Sequence, residues 1–159
     1  MPTYASQTSV TSDKSRAEIE RTLTRYGASS FMYGWDQLRA VVAFEMHGRR
    51  LKFVLPMPDR DGREFTHTPT KNQRRSAAAA EAAYEQAVRQ RWRALWRALA
   101  LVIKAKLEAV EAGIAEFEEE FLAYIVLPNG RTVGDFMVPQ IAAVYESGRM
   151  PPLLLGGGE

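Results

Sequence analysis

The chain contains no cysteine. That removes disulfides, thiolate zinc sites and cysteine nucleophiles from consideration. It has two histidines, His47 and His67. They are not spaced as metal ligands, and each falls in a segment that reads as turn or loop, so a histidine-based metal or acid–base centre has little to stand on. Long apolar runs are missing as well. The longest uncharged one, residues 98–103 (ALALVI), is far short of the ~20 residues of a membrane span. The opening MPTYASQTSVTSDKS lacks the apolar core of a signal peptide. The expectation is a protein of the bacterial cytoplasm with no membrane partner. There is no P-loop, no G-x-G-x-x-G, no nucleophile elbow and no internal repeat. These absences lean away from an enzyme and name no catalytic residue, metal ligand or cofactor.

What is present suits one soluble domain. The 159 residues are 46% apolar and 25% charged, enough chain for a sizeable core. The net charge of +2 conceals an asymmetry. Residues 1–48 are neutral, 49–106 carry +9 and 107–159 carry −7. Such a division suggests a polyanionic partner or mutual docking of opposite charges.

Periodicity supplies the layout. Residues 1–14 read as a flexible N-terminus. Ser15 and Glu18 form an S-x-x-E capping box for a short helix that Gly27 ends. A strand around 30–33 and a hairpin of 38–46 and 50–55, joined through His47-Gly48-Arg49, follow. Residues 59–73 read as loop, with 64–67 a candidate edge strand. From Ser76 a helical pattern persists to about Val126, with a break predicted at Gly113 because glycine is its weakest helix residue. A long helix over 76–111 and a shorter one over 113–123 result. Short strands at 124–127 and 131–133 flank the Asn129-Gly130 turn. A last helix covers 135–147, with Pro139 in its first turn and Gly148 as its C-cap. Residues 149–159 read as an extended arm. The fold class is α+β, a single domain over 15–148: a small antiparallel sheet on a long amphipathic helix, with short helices at either end.

The long helix carries the functional signal. Over residues 88–120, six cations without an acid give way to six acids without a cation. This order opposes the helix dipole, so helix stability does not explain it. At about 100° per residue, Arg89, Arg93, Arg97 and Lys104 share one ridge opposite an apolar stripe. Cations spaced along one face are what phosphate contacts need. Trp96, at the stripe's edge, is a candidate for stacking on a base. Arg74, Arg75, Arg49, Arg50 and Lys52 would extend the patch if the fold gathers them. Lys106 falls inside the stripe, either snorkelling to solvent or paired with an acid.

Four segments, RTLTRYG (21–27), FEMHGRRLKFVLPM (44–57), the run from Arg89 to Phe121 and VLPNGRTVGDFMVPQIAA (126–143), resemble a group of small uncharacterised bacteriophage and prophage proteins. The resemblance covers most of residues 15–155. It implies a phage-related origin, where replication, recombination and host takeover are common tasks, and it transfers no site residue. The first reading is a non-enzymatic nucleic-acid-binding protein of phage DNA metabolism, DNA ahead of RNA, and oligomeric. The alternative is a protein-interaction module whose basic half meets an acidic surface on a phage or host protein or on a second copy. A weaker alternative is a metal-dependent nuclease using Glu116 and Glu120, four apart on one helical side.

Overall fold

The computed structural model describes residues 3–36 and 39–150, with side chains from Asp13 onward. Its first helix, α1, spans Thr3–Arg25. It passes straight through Ser15 and Glu18, so the capping box predicted there does not start a helix. No glycine or proline interrupts residues 3–25, and nothing stops the helix before Gly27. There φ reaches 96°, and the Gly27 and Ala28 amides donate back to Thr24 and Leu23, the double bond of a glycine-terminated helix.

Three strands follow, β1 (Ser30–Trp35), β2 (Arg39–Met46) and β3 (Arg49–Pro56), in an antiparallel sheet of that order. Strand β1 runs two residues beyond its predicted end, and the predicted hairpin start at Leu38 lies outside the described residues. The hairpin turn is two residues, His47 and Gly48, with φ of 52° and 72°. Both positive angles match the right-handed twist of the flanking strands, and Arg49 already pairs with Met46. Alternation then sorts the side chains. Val42, Phe44, Met46, Leu51, Phe53 and Leu55 face inward, while Met32 and Val54 stand exposed on the other face.

The inward face packs on α3 (Ala77–Glu111). Ser76 caps this helix, its hydroxyl accepting from the Ala79 amide at 3.2 Å. It ends at Gly113 (φ 76°), where the Gly113 and Ile114 amides donate to Val110 and Ala109. Both ends agree with the sequence. Trp96, Leu99, Ile103 and Leu107 meet the sheet, Ile19 and Leu23 of α1 close one side, and Phe117, Phe121 and Ile125 close the end.

Elsewhere short elements replace predicted ones. Residues 63–66 form a helical turn, α2 (Arg63–Thr66), not an edge strand, because Phe65 is buried edge-on against Tyr84 at 5.5 Å. The helix expected over 113–123 is one turn, α4 (Phe117–Glu120), and a 3-10 turn, Leu122–Tyr124. The strands expected at 124–127 and 131–133 reduce to single bridges, Leu51 to Ile125 and Val126 to Thr132.

The last helix, α5, spans Val133–Ser147 behind a reciprocal Thr132–Asp135 capping box. Pro139 is therefore in its second turn, not its first. The Asp135 carbonyl that Pro139 cannot serve accepts from the Arg131 guanidinium at 3.2 Å. Gly134 lets α5 approach the 3-10 turn, since a Cβ there would lie 2.9 Å from the Ala123 carbonyl oxygen. The Thr132 backbone amide, then its hydroxyl, holds the Asp135 carboxyl below the usual carboxylate range. A depressed folded pKa contributes stability above the unfolded value and loses it as pH falls through the folded one. The start of α5 should therefore loosen in acid, seen as faster exchange of the Asp135 and Phe136 amides. Asp135→Asn should remove that acid dependence. The predicted arm over 149–159 lies outside the described residues from Pro151 onward.

Candidate nucleic-acid interface

The four cations of the predicted ridge all lie within α3. Arg97 and Lys104 are exposed and Arg89 and Arg93 are half-buried. At about 1.5 Å per residue, Arg93 and Arg97 stand about 6 Å apart along the axis and Lys104 about 10 Å further on. Arg89 reaches Glu85 at 3.9 Å, an exposed contact of little energetic weight. Among the described residues, no carboxylate comes within ion-pair distance of Arg93, Arg97 or Lys104. The same holds for Arg91, an exposed residue that the ridge argument passed over. Its helical position adjoins the alanines of the outward face, which is the signal that would have found it.

Further along α3 the ridge turns acidic at Glu108 and Glu111. The Tyr26 hydroxyl donates to Glu111 Oε2 at 2.8 Å, tying α1 to this end. That hydrogen bond, followed by partial burial, pushes the Tyr26 pKa above its ordinary value.

The fold does not gather the other predicted cations onto this ridge. The hairpin tip lies at the acidic end, with the His47 ring 4.7 Å from Phe117 and Arg49 bonded to Glu118 at 2.8 Å. Arg50 pairs with Glu45 at 3.0 Å, and Lys52 donates to the Gly130 carbonyl at 3.1 Å. Arg49 and Arg50 line a separate hollow of about 540 Å³ against residues 126–130. Arg74 and Arg75 precede α3, roughly 20 Å of helix from Arg89. Arg74 is exposed, and Arg75 is anchored by its amide to the Thr66 carbonyl.

Trp96 must be corrected. It is 0% exposed, with Trp92 and Tyr33 edge-on at 5.7 and 6.0 Å, so it offers no face to a base. Lys106 is paired with an acid. Its ammonium donates to the Glu120 carbonyl and to Glu120 Oε1, each at 3.1 Å. Glu120 is thereby engaged, and Glu116 lies ahead of α4. Among the described residues no three acidic or histidine side chains gather as a group that could hold a metal ion. No described helix is long and apolar enough to cross a membrane. No protein-family model, curated protein or solved structure matches the chain.

Proposed function

We propose that this chain is a non-enzymatic nucleic-acid-binding protein of phage DNA metabolism that tracks a phosphate backbone along the cationic ridge of α3. One observation carries the reading. The cations of the hairpin are matched by acids or a carbonyl, whereas Arg93, Arg97 and Lys104 are left without an ion pair among the described residues. With Trp96 buried, the ridge of α3 offers no ring for a base, and binding along it rests on phosphates and is indifferent to sequence.

Fluorescence anisotropy with labelled single- and double-stranded DNA across a salt series tests this. Three or four phosphate contacts predict a log–log slope of about −2 to −4. Converting Arg93, Arg97 and Lys104 together to alanine should flatten the slope by about 2 to 3. Binding by that variant equal to wild type at moderate salt would end the assignment.

A second reading, a protein-interaction module, is favoured by α5. This helix has no buried residue, and Val138, Ile141 and Tyr145 stand 63%, 44% and 87% exposed. Val138→Asp and Ile141→Asp should leave stability within about 0.5 kcal/mol if this surface serves a partner and not the core. A larger loss in thermal unfolding would show it to be structural.

A further inference from the structure

The side of α3 away from Trp96 and Ile103 carries Arg91, Ala94, Ala98, Leu101, Ala105 and Glu108, all exposed, with Arg91 and Ala94 bordering a hollow of about 500 Å³ whose other wall is residues 56–58, Glu64 and Phe65. Their spacing alternates three and four, the repeat by which one helix meets another. Leu101 is 65% exposed at the centre, and Val102 beside it is 40% exposed. A cation closes one end of this face and an acid the other. We infer that two copies of the chain pair antiparallel through this face, with the two-fold axis between Ala98 and Leu101.

Charge decides both the occupant and the direction. About that axis Leu101 meets Ala98 of the second copy, and Ala94 meets Ala105. Arg91 meets Glu108 at both ends. A parallel pair in register would instead set Arg91 on Arg91 and Glu108 on Glu108, like charge on like. The alanines allow close approach and the two leucines fill the middle.

The pairing has a consequence that rests on the proposed function. A two-fold of this kind keeps the same flank of each helix on the same side. Arg93, Arg97 and Lys104 lie on one flank, so the pair presents two cationic ridges side by side. Arg97 of one copy comes beside Lys104 of the other. That repulsion weakens the empty pair and is relieved by a polyanion lying across it.

Sedimentation equilibrium of the full chain, with and without a short DNA duplex, tests the inference. The free protein should approach twice its 17.9 kDa mass with rising concentration. Leu101→Glu, at an exposed site that leaves the fold intact by circular dichroism, should raise the dimer Kd about 10- to 100-fold through lost apolar burial and an unpaired carboxylate. Arg91→Glu should also dissociate the pair, and adding Glu108→Arg should restore it. A monomer at high micromolar concentration, or a dimer indifferent to both single variants, would overturn the pairing. DNA binding by such a monomer would leave the proposed function standing alone. A dimer sensitive to these variants that binds no DNA would uphold the pairing and sink the function.

Discussion

Trp96→Ala is expected to cost about 3–5 kcal/mol of folding stability, the range for deleting a fully buried aromatic side chain. A domain of this size has only about 5–15 kcal/mol to lose, so the variant should be near unfolding at 37 °C. The indole has no exposed surface and sits where α1, α3 and the sheet converge, edge-on to both Tyr33 and Trp92. Chemical denaturation followed by circular dichroism reads the loss directly. Trp96→Phe separates two contributions. It leaves a smaller cavity, and it removes an indole N–H that is buried with no hydrogen-bond partner among the described residues. Burying such a donor costs about 1–3 kcal/mol, so the phenylalanine variant should recover most of what alanine loses. A loss below about 1 kcal/mol for Trp96→Ala would mean the ring is a surface feature, and base stacking would return to consideration.

The misplacement of Trp96 shows what one sequence can and cannot carry. Regular helical spacing over residues 84–121 centres an apolar stripe that includes Leu95 and Val102 and leaves Trp96 at its edge. In the folded chain Val102 is 40% exposed and Trp96 is buried, so the true core line is rotated by about 40°. The cause is α1. It lies along one flank of α3 and turns Trp96, Ala100 and Leu107 inward. Periodicity reports that a helix is amphipathic, but not how many elements cover it. Much of the local chemistry was readable, namely the start of α3 at Ser76, its end at Gly113, Gly148 in the left-handed region and the paired hairpin strands, whereas the equally local Ser15–Glu18 box starts no helix. The Thr132–Asp135 box was equally local, and recognising it would have moved the start of α5 and placed Pro139 correctly. The ridge was visible because Arg93, Arg97 and Lys104 belong to one helix. Its separation from Arg49, Arg50 and Lys52 was not, because that depends on which end of α3 the hairpin tip reaches.

Lys106→Met should cost about 1–3 kcal/mol, between an exposed ion pair and a fully buried one. The methionine keeps the apolar stem, so the loss isolates the ammonium. That group donates to both the Glu120 carbonyl and carboxylate and lies 5.8 and 5.4 Å from the Phe121 and Tyr124 rings. It joins the last third of α3 to α4 and the 3-10 turn across the break at Gly113. With side chains 21% and 28% exposed, the pair is shielded enough from solvent for one partner's removal to strand the other. Glu120→Gln should cost less, because its amide oxygen and the backbone carbonyl still accept. Combining Lys106→Met with Glu120→Gln should cost less than the two losses added, with a coupling of about 0.5–3 kcal/mol. If Lys106→Met is neutral, the ammonium is solvated and something else holds α4. If it costs what is expected, the effect should travel. Glu118 sits on the same turn and holds Arg49, so loosening α4 should also free the hairpin tip, seen as faster exchange of the Arg49 amide, which pairs with Met46. The lysine inside the apolar stripe is thus a fastening that keeps the acidic end of α3 folded back on the hairpin, just beyond Lys104, the last cation of the ridge.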